Sequence, residues 1–416
     1  MHLAERVMAK HLYPAAFVAC AVVIILATCF LLTHPGVFPA GGYVGPASWR
    51  ESTPAGIRFS GDSYRYISGA EQVLVGEPLT AEQTPYRGYV WVVAACLRSG
   101  VGLRGLVVLQ IAVALLALLA LMAVARQAGG PGLAAVTGAI FALNPDFPVW
   151  HTFVMTESLY ISAVCLTLWL ALWAMPPGRA WRYVPATAAI VLFALLRPSG
   201  WIMLPAVALF WIGHAKWHWP WRLAGAAAVV LLFLALAFGG RGFRQGISGQ
   251  SPVDKLYAGE VVWQEDLWRV AMPPPDGDDR SYLGAVAYIA RHPVACVHLA
   301  LRRLAVLFLR IRPGYSAAHN AVLLAVYLPL AFLGAVGAWL GRRRLEVRLA
   351  IALVLAHALV VALTFNDNDG RFSLYLVPPL GLLAAVTLVR AAEVIVGRRR
   401  SSGFAAGSRS TPDAAV

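Results

Sequence analysis

The chain has 416 residues, of which 59% are hydrophobic and only 13% charged, a composition that excludes an ordinary soluble domain and matches a polytopic membrane protein. Its net charge of +14, from 34 Lys+Arg against 20 Asp+Glu, gathers in short clusters between apolar runs, the pattern of membrane topology and anionic-lipid contact, with no separate basic domain for nucleic acid. The five cysteines (Cys20, Cys29, Cys96, Cys165 and Cys296) form no CxxC pair, and nucleotide loops and metal-ligand motifs are absent, so no cofactor and no cysteine metal site are expected.

Residues 14–33 carry no charge and follow Arg6, Lys10 and His11. A run of about twenty apolar residues spans the hydrocarbon core, so residues 1–33 are expected to be an uncleaved anchor with a cytoplasmic N-terminus. The polar interval 34–103 is then periplasmic, and it holds Asp62, Arg65, Glu71, Glu77, Glu82 and Arg87. Charges of this density do not lie in hydrocarbon, so function is sought there first.

A transmembrane core is expected over 104–240, with spans near 104–125, 132–149, 157–175, 183–197, 199–214 and 222–240. Alternate threading puts Arg126 and the turns 176–182 and 216–222 on the cytoplasmic side, as the positive-inside rule requires. It puts Asn144-Pro145-Asp146, Met155-Thr156-Glu157 and Arg197-Pro198-Ser199 on the side of Asp62.

The second polar interval begins near 241 and holds Asp276, Asp278 and Asp279. The apolar stretch 293–312 is interrupted by Arg302-Arg303, and a full crossing there would bring Arg342-Arg343-Arg344 to the outside. Residues 241–319 are therefore read as a periplasmic loop with an amphipathic or re-entrant helix. Spans at 320–340, 348–365 and 372–391 follow within a C-terminal helical segment, 320–397, leaving Asn366-Asp367-Asn368-Asp369-Gly370-Arg371 outside. Residues 398–416 are expected to be a disordered cytoplasmic tail. The expected fold is all-α and polytopic, with about ten transmembrane helices and juxtamembrane helices in the first periplasmic loop.

Threading gathers Asp62, Tyr64, Arg87, His151, Glu157, Arg197, Arg302, Arg303, Asp369 and Arg371 at one membrane surface. Acids and bases at helix ends on a single side suit chemistry at the water interface, whereas a conduction path needs polar groups through the bilayer depth. Each has a plainer use as well. Asp62 is placed to cap a helix beginning near Ser63, Arg302 and Arg303 to reach headgroups, and Tyr64, Tyr66, Trp49, Trp91 and Trp150 to sit in an aromatic belt as readily as to stack on a ligand.

The ordered segments GDSYRYI (61–67), TPYRGYVW (84–91), MTESLYI (155–161), LLRPSG (195–200), YIARHPVACVHLALRR (288–303) and GRFSLYLVPPL (370–380) resemble the GT-C membrane glycosyltransferases. They are most similar to the branch with protein O-mannosyltransferases, lipid A aminoarabinose transferases and Rgt-type enzymes. The resemblance implies transfer of a sugar from a polyprenyl-phosphate donor to a periplasmic glycan, lipid or protein acceptor, in a bacterial inner membrane. It assigns Asp62 as catalytic acid/base, Glu157 to the same cavity and Arg87 to the carrier phosphate. The rival readings are an O-antigen polymerase or ligase with a lipid-diphosphate donor, and a secondary transporter or lipid flippase, which would favour internal repeats and mid-membrane charges.

Overall fold

The computed structural model describes residues 2–34, 56–239, 252–263, 268–275, 277, 279–367 and 369–407. Trp49, Asp276, Asp278 and residues 408–416 of the expected tail lie outside the described residues. The chain is an all-helical polytopic membrane protein. Among the described residues, five helices are long and apolar enough to cross a bilayer: His11–Thr33, Gly102–Ala142, Ala317–Gly341, Leu345–Leu363 and Val377–Val396. Shorter apolar helices run over Glu157–Trp173, Ala180–Ala194 and Trp219–Phe233. The expected count of about ten takes these shorter helices as separate crossings, which length and composition alone do not decide.

The first helix, α1 (His2–Thr33), shows why these runs pack as they do. Cys20, Ile24, Thr28 and Leu31 recur at helical spacing and are buried, while Val18, Val22, Leu26 and Phe30 on the other face are exposed. One stripe meets protein and the other is suited to lipid.

The 41-residue helical segment Gly102–Ala142 is broken by non-helical backbone at Gly129 and Gly130, just before Pro131. A Cβ on Gly138 would lie 2.8 Å from Met122 Sδ, a contact that a straight helix, rising 1.5 Å per residue, forbids. Residues 102–128 and 131–142 therefore fold back on each other, in place of the expected spans 104–125 and 132–149. The second arm stops before 149 because Pro145 follows and Asn144 Oδ1 accepts the Asp146 backbone N–H at 3.1 Å, turning the chain into the short helix Asp146–His151.

Helices Glu157–Trp173, Tyr183–Ala194 and Met203–His214 run back and forth. Trp211 donates to the Ala171 carbonyl at 2.9 Å and stacks edge-on against Tyr183, so residues 171, 183 and 211 share one end. Arg182, which donates to the Trp173 carbonyl, lies there too. Arg344 reaches the Ala128 carbonyl and Arg348 lies 3.4 Å from His214, so these basic groups also belong to that end. The starts of helices at Glu157 and the turn at Arg197 lie at the opposite end.

Residues Val253, Leu256, Val261, Val262, Ala285 and Tyr288 form a second small core, closed by Leu299 and Val306. Leu299 and Val306 belong to the helix Pro293–Leu309, which turns through 107° from Tyr282–Arg291. Its Val294, Val297 and Leu301 are exposed on the other face. Apolar residues thus lie on both faces of this helix. The last helix runs over Val377–Gly407.

Helices Ala317–Gly341 and Val377–Gly407 approach closely at Gly337, where a Cβ would lie 1.8 Å from the Leu383 carbonyl oxygen. Backbone cannot give way as a flexible side chain can. Gly337→Ala is expected to lower stability by about 1–3 kcal/mol, read as a lower thermal midpoint of the purified protein in detergent.

Candidate functional site

Two isolated bridges assemble the site. Arg58 N donates to the Thr152 carbonyl at 2.9 Å and Val154 N to the Arg58 carbonyl at 3.1 Å, pairing the strand-like residues before Asp62 with those before Glu157. Trp263 N donates to the Asn366 carbonyl at 2.8 Å, and Asn366 N to the Val261 carbonyl at 3.1 Å, pinning the segment that carries Asp367 and Asp369.

The helix Gly61–Val75 starts at the N-cap Ser60, with Ser60 N donating to Ser63 Oγ at 2.9 Å, so Asp62 stands in the first turn and the capping role belongs to Ser60. The side chain of Asp62 is 26% exposed and accepts from Arg371 at 2.8 Å, with Arg65 at 3.6 Å on its other oxygen. Glu157 is fully enclosed: its Oε1 lies 2.8 Å from Arg197 Nη1 and 3.6 Å from Arg371 Nη1, and accepts from the Tyr375 hydroxyl at 3.2 Å. Arg197 also donates to Tyr375 Oη and, at 3.2 Å, to Thr156 Oγ1.

Arg371 is the hub. Its backbone N–H and its Nε both donate to Asp367 Oδ2, at 2.9 and 3.0 Å, while Phe372 N donates to Oδ1 at 3.2 Å. Asp369 lies 3.7 Å from Arg371 Nε and its side chain is half exposed. The turn before it needs Gly370: its φ is +73°, and a Cβ there would meet Arg310 Nε at 2.9 Å and Arg312 Nη2 at 3.1 Å.

Electrostatics separate the two more open acids. Burial alone would raise the Asp62 carboxyl, but the charge and hydrogen bond of Arg371, with Arg65 and Arg197 behind it, leave it below the usual carboxylate value. Asp369 goes the other way, raised by burial and by Asp367, Glu157 and Asp62, against the opposing pull of Arg371. Asp367 is lowered despite burial, because Arg371, Arg312 and two backbone N–H groups face it.

No family model matches the chain, and a search of curated proteins finds no match either. Among solved structures, the apo oligosaccharyltransferase of Archaeoglobus fulgidus aligns with 96% of this chain at TM-score 0.51 and 15% identity. The chain shares the fold of that structure. It spans about half the length of that structure, 53%. A second structure, the oligosaccharyltransferase AglB of Archaeoglobus fulgidus with an inhibitory peptide and a dolichol-phosphate, aligns with 98% of this chain and 53% of its own at TM-score 0.50 and 13% identity. ArnT from Cupriavidus metallidurans, bound to undecaprenyl phosphate, reaches TM-score 0.48 at 17% identity over 97% of this chain and 66% of its own, an overlap too partial to carry a fold assignment.

The fold brings together Asp62, Glu157, Arg197, Asp369 and Arg371 from the residues expected at the site. Arg87 begins the helix Arg87–Arg98 and is half-buried, its side chain without an ion pair or hydrogen bond to the described residues; Gly88 N beside it donates to the Leu195 carbonyl at 2.9 Å, two residues from Arg197. Tyr64 is exposed two residues from Asp62. Tyr66, by contrast, is enclosed by Tyr86 and Tyr89 with ring centroids at 5.4 and 5.0 Å, so its ring is not open to a sugar.

Three expected residues stand away from the hub. His151 is buried against Ser158 Oγ at 2.7 Å, and burial pushes its imidazole down to about 4, so it is neutral at physiological pH. Arg302 is exposed, with Nε 3.4 Å from His298 Nε2. Arg303 is 1% exposed and donates to the carbonyls of Glu260 (2.9 Å), Ala362 (3.1 Å) and Lys255 (3.2 Å), which ties the small outer core to the helix end at Ala362.

Asp367, Arg65 and Tyr375 belong to the site although they were not among the expected site residues. Their signals were local: Asp62 and Arg65 are three apart, and Asp367, Arg371 and Tyr375 are successive steps of four. A further buried cluster, Asp146 with Arg310 at 3.0 Å and the Tyr327 hydroxyl at 3.0 Å, supports the turn against which Gly370 packs.

Proposed function

We propose that the chain is an integral membrane glycosyltransferase that moves a sugar from a polyprenyl-phosphate donor to an acceptor hydroxyl, with Asp62 as general base. The observation that carries this reading is the placement of a partly open Asp62 against Arg371, among cations and at one end of apolar helices, within a GT-C fold. The dolichol-phosphate and inhibitory peptide held by AglB support a lipid-phosphate donor and a separate acceptor for this fold. Basic residues at the opposite end, Arg182, Arg344 and Arg348, support an active site facing the periplasm of a bacterial inner membrane and cytoplasmic chain ends.

The step is a single displacement in outline. The acceptor O–H gives its proton to the Asp62 carboxylate, its oxygen bonds to the anomeric carbon, and the bond from that carbon to the phosphate oxygen breaks. The polyprenyl phosphate leaves with the electron pair. Arg87, half-buried beside the Leu195–Arg197 turn and without an ion pair to the described residues, serves the leaving phosphate. Glu157 is enclosed, so it acts through Arg197 and Arg371 by fixing where they point. Tyr64 and Asp369, both exposed near Asp62, meet sugar or acceptor.

Membranes carrying the chain should transfer label from a polyprenyl-monophosphate sugar to an endogenous acceptor, and a lipid-diphosphate sugar should not substitute. Transfer from the diphosphate alone would reject the reading in favour of a ligase. The pH profile gives a second check. Since Arg371 holds the Asp62 carboxyl below its ordinary value, the base form persists as pH falls, and kcat/KM should stay level through the range in which an ordinary carboxylate begins to protonate. An acid limb centred near neutrality would assign the base elsewhere.

A further inference from the structure

We infer that Arg303 is a positioning residue for this site, one that clasps the turn carrying Asp367 and Arg371 to the small outer core. Arg303 is 1% exposed, and its guanidinium bonds to backbone from all three nitrogens. Nε donates to the Glu260 carbonyl at 2.9 Å, Nη1 to the Ala362 carbonyl at 3.1 Å and Nη2 to the Lys255 carbonyl at 3.2 Å. The carboxylate of Glu260 is engaged elsewhere, by Lys255 at 3.0 Å and Arg269 at 3.5 Å. The acceptors of Arg303 are therefore neutral carbonyls, and the feature the position uses is the fork. A planar guanidinium can reach carbonyls on two separate segments at once, which a single ammonium cannot.

Asn366 closes the clasp from the other side. It is fully buried, its Nδ2 donates to the Arg303 carbonyl at 2.7 Å, and its backbone is bonded to Val261 at 3.1 Å and Trp263 at 2.8 Å. The next residue, Asp367, accepts from the Arg371 backbone N–H and Nε at 2.9 and 3.0 Å, and Arg371 Nη1 reaches Asp62 at 2.8 Å. From Arg303 to Asp62 the contacts are thus continuous, made of hydrogen bonds and one peptide link. Because both the backbone and the side chain of Arg371 are anchored to Asp367, the guanidinium moves with that turn. A shift of about 1 Å would take it out of hydrogen-bond range of Asp62. The neighbouring Arg302 is exposed against His298 and supplies a control.

The effect on transfer rests on the proposed reaction, whereas the clasp itself is read without activity. Hydrogen exchange of the full-length protein in detergent, followed by mass spectrometry, should be about tenfold faster in Arg303→Met than in wild type for peptides holding Trp263, Asn366, Arg371 and Phe372. The helices Gly61–Val75 and Ala317–Gly341 should exchange as before. Arg303→Lys keeps the charge without the fork and should loosen the same peptides, whereas Arg302→Met should loosen none. Asn366→Ala cuts the clasp at its other end and should reproduce the Arg303→Met pattern. In transfer assays Arg303→Met should lower kcat by about 10–100-fold with little change in donor KM. Arg371 from the turn, Arg65 from its own helix and Arg197 face Asp62 and favour its ionised form, while Glu157, Asp367 and Asp369 compete for Arg371. Displacing Arg371 therefore lets Asp62 protonate sooner as pH falls, and the acid limb of kcat/KM should move to higher pH. A general folding defect lowers the active fraction and leaves that limb in place. The inference is overturned if the peptide with Arg371 and Phe372 exchanges as in wild type while the outer core loosens, or if it loosens and the limb stays put. It is equally overturned if Arg303→Met and Asn366→Ala both unfold outright. Absence of transfer by wild type would reject the proposed reaction and leave exchange to decide the clasp.

Discussion

Asp62→Asn is expected to slow sugar transfer by about 10²–10⁴-fold, the usual loss on removing a positioned general base, while leaving the protein inserted and folded. Asparagine keeps the shape of the side chain and can still accept from Arg371, but it cannot take a proton from an acceptor hydroxyl. The loss should appear in kcat, with the dependence on donor concentration little changed, because the proton moves only in the transition state. Folding is not at risk to the same degree. Asp62 is partly open to solvent, Arg371 keeps Asp367 as a second acid at 3.0 Å, and the helix start is held by Ser60 and Ser63. The control is Asp369→Asn. That carboxyl shares Arg371 and is more open, and its raised proton affinity makes it the other acid in the cluster able to hold a proton. Loss of transfer on Asp369→Asn with Asp62→Asn near wild type would move the base to Asp369.

Arg197→Met should destabilise the protein by about 3–5 kcal/mol, the cost of leaving a buried charge without its partner. Glu157 is fully enclosed and Arg197 nearly so, with 2.8 Å between them. The Tyr375 hydroxyl bonds to Glu157 at 3.2 Å and also pairs with Arg197, so removal of the arginine leaves two polar groups facing a gap. Arg371, at 3.6 Å, softens the loss without replacing the shorter contact. The double variant Glu157→Gln with Arg197→Met should therefore be less damaged than the sum of the singles, by about 0.5–3 kcal/mol of coupling. Thermal midpoints of the four proteins in one detergent measure this cycle. Additive effects would show that the pair is held apart in solution.

These two variants separate what was readable along the chain from what was not. Hydropathy runs and the spacing of Pro and Arg were enough for an all-helical membrane protein with a polar end, because hydrocarbon tolerates only helices whose backbone groups bond internally. The same reasoning placed Asp62, Glu157, Arg197 and Arg371 at that end, since each stands where an apolar run begins or stops. The paired arginines suggested an amphipathic or re-entrant helix within 293–312. Two local signals went unread: Gly370 before Arg371 suits a turn, and the four-residue step from Asp367 to Arg371 suits a pair.

Which acid meets which base was decided only by the tertiary structure. Arg302 and Arg303 are chemically identical neighbours, yet one is exposed and the other is buried on three carbonyls. The difference is a rotation of about 100° around the helix, and only the packing of the small outer core against Leu299 and Val306 tells which side faces inward. Glu157 and Asp62 likewise read alike as carboxylates at helix starts, and the bridge between Arg58 and Phe153 is what sets one inside the protein and the other at its edge. Periodicity determined the helices because it is a property of neighbouring residues. The charge hub on Arg371 depends on segments as far apart as 309 residues, and only their packing brings those charges within ion-pair distance.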